Sequence, residues 1–145
     1  MKIAVNKCFG GFGLSKLAVL RYAELEGFKL TGYRNKRDGT GKLDFNSYER
    51  IDQTEAEDNG IDLIHWIKQD LGEIISSEQL NQGTYFSERD INRNDLHLVQ
   101  VVEELGERAS GRFGQIRLVE IPDDVEWEID EYDGLETVHE KHRSW

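Results

Sequence analysis

Two sets of residues in this chain have the type and spacing for chemistry. The first is a glycine-rich corner, Lys7-Cys8-Phe9-Gly10-Gly11-Phe12-Gly13-Leu14-Ser15, set between an apolar run at Ile3-Ala4-Val5 and a helical pattern from Lys16. A strand that breaks at glycines and restarts as a helix aims free backbone N–H groups at one point, which suits a phosphate. Gly10, Gly11 and Gly13 let a ligand approach the backbone. The first-turn amides near Ser15 carry the positive end of the helix dipole. Lys7 adds a mobile cation, and Arg89 and Arg93 are the arginines expected to complete the site. The spacing is neither the dinucleotide fingerprint nor the Walker A loop, since no Gly-Lys-Ser/Thr follows. The expected ligand is a phosphorylated small molecule or nucleotide; the alternative is a tight turn whose glycines serve packing.

The second set is acidic. From Glu120 to Asp133 there is no Lys or Arg, and Glu126, Glu128 and Asp130 alternate with Val125, Trp127 and Ile129. In a strand that alternation lines one face with negative charge. Such a face could imitate a nucleic-acid backbone towards a host protein, or coordinate a hard cation near Asp130, Glu131 and Asp133. It also fits the solvent face of an edge strand guarded by charge.

The remaining candidates are weaker. Cys8 at a strand end could be a nucleophile, but a base must accompany it. None of His65, His97, His139 and His142 can be placed beside it, and a small buried hydrophobe is the plainer role. His139 and His142, with Glu136 and Glu140, could share one helical face as metal ligands, against a solvated C-terminal tail. The Arg34–Arg37 cluster could clamp phosphate, and Trp127, Tyr132 and Trp145 could stack on a base. No catalytic residue, metal ligand or cofactor is assigned, and the balance leans away from an enzyme.

Several elements must position these groups. Lys2 to Cys8 reads as a buried strand, and Ser15 caps a helix whose Leu14 and Val19 are spaced as a hydrophobic staple. Gly27 ends that helix. Residues 31–60 form a polar, glycine-dotted insertion with a short strand at Tyr48–Ile51. Asp62 to Ile75 has Ile64, Ile67, Leu71 and Ile74 at helical spacing, and Thr84 to Ser87 reads as a strand. Asn94 or Asp95 caps a helix with Leu98, Val102, Leu105 and Ala109 on one side. Gln115 to Ile121 is a strand stopped by Pro122, and Val125 to Asp130 is a half-exposed one. Asp133-Gly134 is a turn, followed by a polar tail with one or two helical turns. Strands and helices together predict an α/β or α+β layer fold, a single domain with a mixed sheet packed by about three helices.

Composition narrows the partners. The 145-residue chain carries a formal net charge of −11, which repels nucleic-acid backbones. Direct nucleic-acid binding is therefore not expected. The lone Cys8 rules out a disulfide within the chain and fits a reducing compartment. No apolar run approaches the ~20 residues that span a bilayer, and Lys2–Val5 is too short for a signal peptide. The expected setting is the cytoplasm, with a homo-oligomer compatible.

Both ends of the chain resemble a family of small uncharacterised bacteriophage and prophage proteins. The resemblance rests on Lys2-Ile3-Ala4-Val5-Asn6-Lys7-Cys8-Phe9-Gly10-Gly11-Phe12-Gly13-Leu14-Ser15, on Leu98 to Gly106, on Val119 to Ile129, on Glu131-Tyr132-Asp133-Gly134 and on His142-Arg143-Ser144-Trp145. Thr31 to Gln82 lies outside it. The resemblance implies a host-cytoplasmic accessory role, such as countering a defence signal, and supplies no mechanism.

Overall fold

The computed structural model describes residues 1–52 and 63–141. Along the chain run β1 (Lys2–Asn6), α1 (Lys16–Glu26), β2 (Thr31–Arg37), β3 (Leu43–Arg50), β4 (His65–Ile67) and β5 (Ile74–Ser76). Then follow α2 (Ser77–Asn81), β6 (Tyr85–Phe86), α3 (Leu96–Leu105), β7 (Ile116–Glu120), β8 (Trp127–Tyr132) and β9 (Leu135–Glu140). The fold is α+β. The expected mixed sheet is replaced by three separate sheets, and every pairing among the described residues is antiparallel. No helix among the described residues is long and apolar enough to cross a membrane. The chain divides into two compact units, Met1–Leu25 with Glu88–Trp145, and Glu26–Ser87.

In the first unit β1 pairs with β7, Ala4 facing Leu118. Ile3, Ala4 and Val5 are fully buried, as their apolar run predicts. They pack against α3, whose Leu98, Val101 and Val102 are also buried. Burying each of the Ile, Val and Leu side chains among them stabilises the unit by about 1.5–3 kcal/mol. The Asp95 carboxylate caps α3 by accepting from the His97 and Leu98 amides at 2.9 and 3.1 Å. The Ser15 hydroxyl oxygen caps α1 by accepting from the Ala18 amide at 3.1 Å, and Leu14 and Val19 are both buried beside it. The predicted helical tail is instead β9. It pairs with β8 through Asp133 and Gly134, both at positive φ (49° and 88°). Positive φ at both turn residues is what a two-residue hairpin loop needs to match the twist of its strands.

The second unit is a five-stranded sheet in the order β5-β3-β2-β4-β6. Much of the predicted loop-rich insertion is therefore ordered as the β2–β3 hairpin; its acidic part, 53–60, lies outside the described residues. The helix predicted over 62–75 is replaced by β4, a turn and β5. The apolar spacing there fits a helix, but Asp70 folds the chain back by accepting from the Gly72 amide at 3.0 Å. The buried Tyr33 hydroxyl then accepts from the Leu71 amide and donates to the Gly72 carbonyl. Tyr33, Ile67, Ile75 and Leu80 form this unit's core.

Candidate functional site: the glycine corner and the acidic hairpin

The glycine corner belongs to the first unit, and its geometry begins at Asn6, the fully buried last residue of β1. The Asn6 amide donates to Glu136 Oε1 at 2.8 Å. Its side-chain amide donates to the Cys8 and Gly134 carbonyls, both at 2.7 Å. Its side-chain oxygen accepts from the Gln115 amide at 2.8 Å. One asparagine thus ties together the glycine loop, the segment before β7 and the β8–β9 turn.

Glu136 is the other half of the knot. It is only 4% exposed, and Arg93 holds it with two hydrogen bonds, Nη1 to Oε1 at 2.6 Å and Nη2 to Oε2 at 2.9 Å. A buried carboxylate persists only when paired and hydrogen-bonded, and this one has both. Arg93 also stacks over Phe12, its guanidinium carbon 3.5 Å from the ring centroid. Phe12 itself is buried. Lys7 Nζ donates to the Glu136 carbonyl at 3.2 Å.

The corner is closed sterically as well. A Cβ on Gly10 would overlap the Phe113 carbonyl, and one on Gly134 would meet Gly11 and Phe9 backbone atoms. The Ser15 amide donates to the Ala109 carbonyl at 2.9 Å, and the Gly111 amide to the Gly13 carbonyl at 2.8 Å. The Ser15 hydroxyl donates to the Arg108 carbonyl at 2.6 Å.

Of the residues predicted to hold a phosphate, Lys7 and Arg93 therefore converge, but on the protein's own Glu136. Gly10 packs against Phe113, Ser15 and the Gly13 carbonyl are hydrogen-bonded to residues 108–111, and the Cβ positions of Gly11 and Gly13 are both open. Arg89 is carried by a 3-10 turn at Glu88–Asp90. The Cys8 thiol points at two oxygens, the Phe113 carbonyl at 3.1 Å and Asn6 Oδ1 at 3.4 Å. Neither is a base that could activate it.

Three loops meet at this corner, and each presents an exposed aromatic ring: Phe9 (63%), Phe113 (68%) and Tyr132 (77%). Arg112 lies beside the Phe113 ring. The acidic hairpin rises from the same place. Its inner face carries Trp127, Ile129 and Glu131 from β8 with Glu136, Val138 and Glu140 from β9, of which Glu136 reaches β1. Its outer face carries Glu128, Asp130 and Tyr132 from β8, with Thr137 and His139 from β9. His139 sits between the two acids, Nε2 being 2.6 Å from Asp130 Oδ2 and 3.6 Å from Glu128 Oε1. The predicted helical face of His139 with Glu136, Glu140 and His142 does not form, because β9 alternates its side chains across the sheet; His142 lies outside the described residues.

A separate open groove of about 340 Å³ lies where the end of α3 meets β7. Val102, Gly106, Glu107, Ile116, Arg117 and Leu118 line it, and Arg117 faces Glu107 at 3.6 Å.

Sequence reasoning gave Asn6 no role and set Glu136 among candidate metal ligands, whereas these two residues organise the corner. A polar Asn at the end of an apolar strand was the available signal for one; Glu136 carried none, because its partners lie 43 and 130 residues away. No family model matches the chain, and no curated protein or solved structure is similar to it.

Proposed function

We propose that this chain is a protein-docking module, presenting the outer face of the β8–β9 hairpin and the aromatic tips beside it to a basic protein surface. The single observation carrying this reading is the joint exposure of carboxylates and large rings on one construction. Glu126, Asp130 and Asp133 are exposed, and Phe9, Phe113 and Tyr132 stand uncovered at the turn end of the same hairpin. Exposed aromatics beside a charged rim are the composition of a docking surface. Charge of one sign steers a partner of the other. A row of carboxylates along a strand suits a surface that otherwise holds nucleic acid, so the partner class is a DNA- or RNA-binding protein of the host. The phage-like ends of the chain fit that setting.

A phosphate-bearing ligand at the corner has less support. The nearest carboxylate, Glu136, is buried there and repels a second anion, and Arg93 already carries two hydrogen bonds to it.

The test is capture of protein from a bacterial lysate by the immobilised full chain, followed by elution with duplex DNA. The expected result is a captured nucleic-acid-binding protein that duplex DNA releases, and that Glu126→Lys no longer captures. Failure to capture any such protein, or capture indifferent to the charge reversal, overturns the reading.

A further inference from the structure

The strand register of the hairpin places three ligand-type side chains on its outer face. Glu128 and Asp130 are two residues apart on β8, and His139 stands directly opposite Glu128 on β9. One ligand atom from each lies within 4.8 Å of the others. Among the described residues, His139 is the ion-pair partner given to both acids.

The histidine is also oriented. Its Nδ1 faces the Glu140 carbonyl at 3.2 Å. A carbonyl there accepts a hydrogen bond from Nδ1 and turns Nε2 towards the two carboxylates, the orientation that a metal-bound histidine usually shows. Nε2 is shielded from solvent and stands within ion-pair distance of both carboxylates, the nearer being Asp130. A lone pair turned towards two carboxylates is repulsive unless a cation stands between them. That cation is a proton on Nε2 or a metal ion.

We propose that Glu128, Asp130 and His139 form a binding site for one divalent transition-metal ion, with Zn²⁺ as the natural occupant. Imidazole nitrogen with carboxylate oxygens suits zinc, whereas calcium and magnesium prefer oxygen alone. Zinc–ligand bonds of about 2.0–2.1 Å place tetrahedral ligands about 3.3 Å apart. The Nε2 to Glu128 separation of 3.6 Å already fits that edge. The 2.6 Å separation from Asp130 must open by about 0.7 Å to reach it. The Asp130 side chain is 74% exposed and free to make that move. Three protein ligands leave the fourth position open for water.

The proposal is tested apart from the docking reading, whose variant changes Glu126 and spares all three ligands. The experiment is calorimetric titration of the full, chelator-treated chain with ZnCl2, repeated with CoCl2 while recording the visible spectrum. The expected result is one saturable zinc site that His139→Gln weakens by at least about tenfold, with Asp130→Asn weakening it similarly. Far-ultraviolet circular dichroism verifies that each variant is folded. If His139→Gln does not fold, Asp130→Asn and the zinc-induced shift of His139 Nε2 in the unaltered chain's nitrogen-15 spectrum decide. No saturable zinc binding below millimolar concentration overturns the proposal, as does unchanged affinity in the variants or an unmoved Nε2 resonance. Those outcomes leave His139 as a protonated partner of Asp130 only.

Discussion

Arg93 grips Glu136 with both terminal guanidinium nitrogens, at 2.6 and 2.9 Å, across 43 residues of sequence. Arg93 thus already has its anion, supplied from β9 within the same unit. Asn6 contributes its backbone amide to that carboxylate, so strand end, arginine and hairpin are locked in one polar knot.

Removing one member of a buried pair leaves the other charged and unpartnered. Arg93→Ala is expected to cost about 3–5 kcal/mol, read as a lower urea midpoint. Replacing both members by apolar residues, Arg93→Met with Glu136→Leu, should recover much of that loss. A double change no more stable than Arg93→Ala would show that the pair is not coupled.

Close packing at the corner predicts a contrast between glycines. Gly10→Ala would push a methyl group into the Phe113 carbonyl, a backbone atom that cannot swing aside. Gly39→Ala meets nothing and should fall within about 0.5 kcal/mol of the unaltered chain. Thermal unfolding checks both; equal midpoints would contradict the closed corner.

Glu104 supplies a pH test. Hydrogen bonds from Arg21 and then Gln100 hold its carboxyl down at about 2, from an ordinary value of 4.5. A depressed folded-state value means that the interaction is fully present above the ordinary value. It is lost as pH falls through about 2. Carbon-detected NMR of the Glu104 carboxyl should show that low midpoint, and Arg21→Ala should raise it. A midpoint near 4.5 in the unaltered chain would contradict the pairing.

A corner occupied by its own carboxylate should ignore added anions. Thermal unfolding with inorganic phosphate and a panel of nucleotides at millimolar concentration is expected to show no stabilisation. Ligand that binds only the folded state must raise apparent stability, so a saturable rise would restore the phosphate reading.

What the sequence made legible was local. Ile3-Ala4-Val5 read as a buried strand, and Asp95 and Ser15 as helix caps, because those signals depend on neighbours. The Ser76–Gln79 capping box was equally local and was overlooked; the Ser76 hydroxyl and the Gln79 side chain satisfy each other's backbone amides there. The helix predicted over 62–75 failed because apolar spacing alone does not see the Asp70–Gly72 turn or the Tyr33 hydroxyl that stabilises it. The Asp133-Gly134 pair is a strong hairpin signal, yet the charged residues after it hid β9. The Arg93–Glu136 knot was not legible at all. Arg93 looks the same in the sequence whether its anion is a ligand or a distant glutamate.

The central claim is that the acidic hairpin, not the glycine corner, is the binding surface. Its most direct test challenges the complex captured from a bacterial lysate with duplex DNA in one arm, and with free nucleotides and phosphate in the other. The account predicts release by DNA and none by nucleotide or phosphate; release by nucleotide or phosphate while DNA has no effect would contradict it.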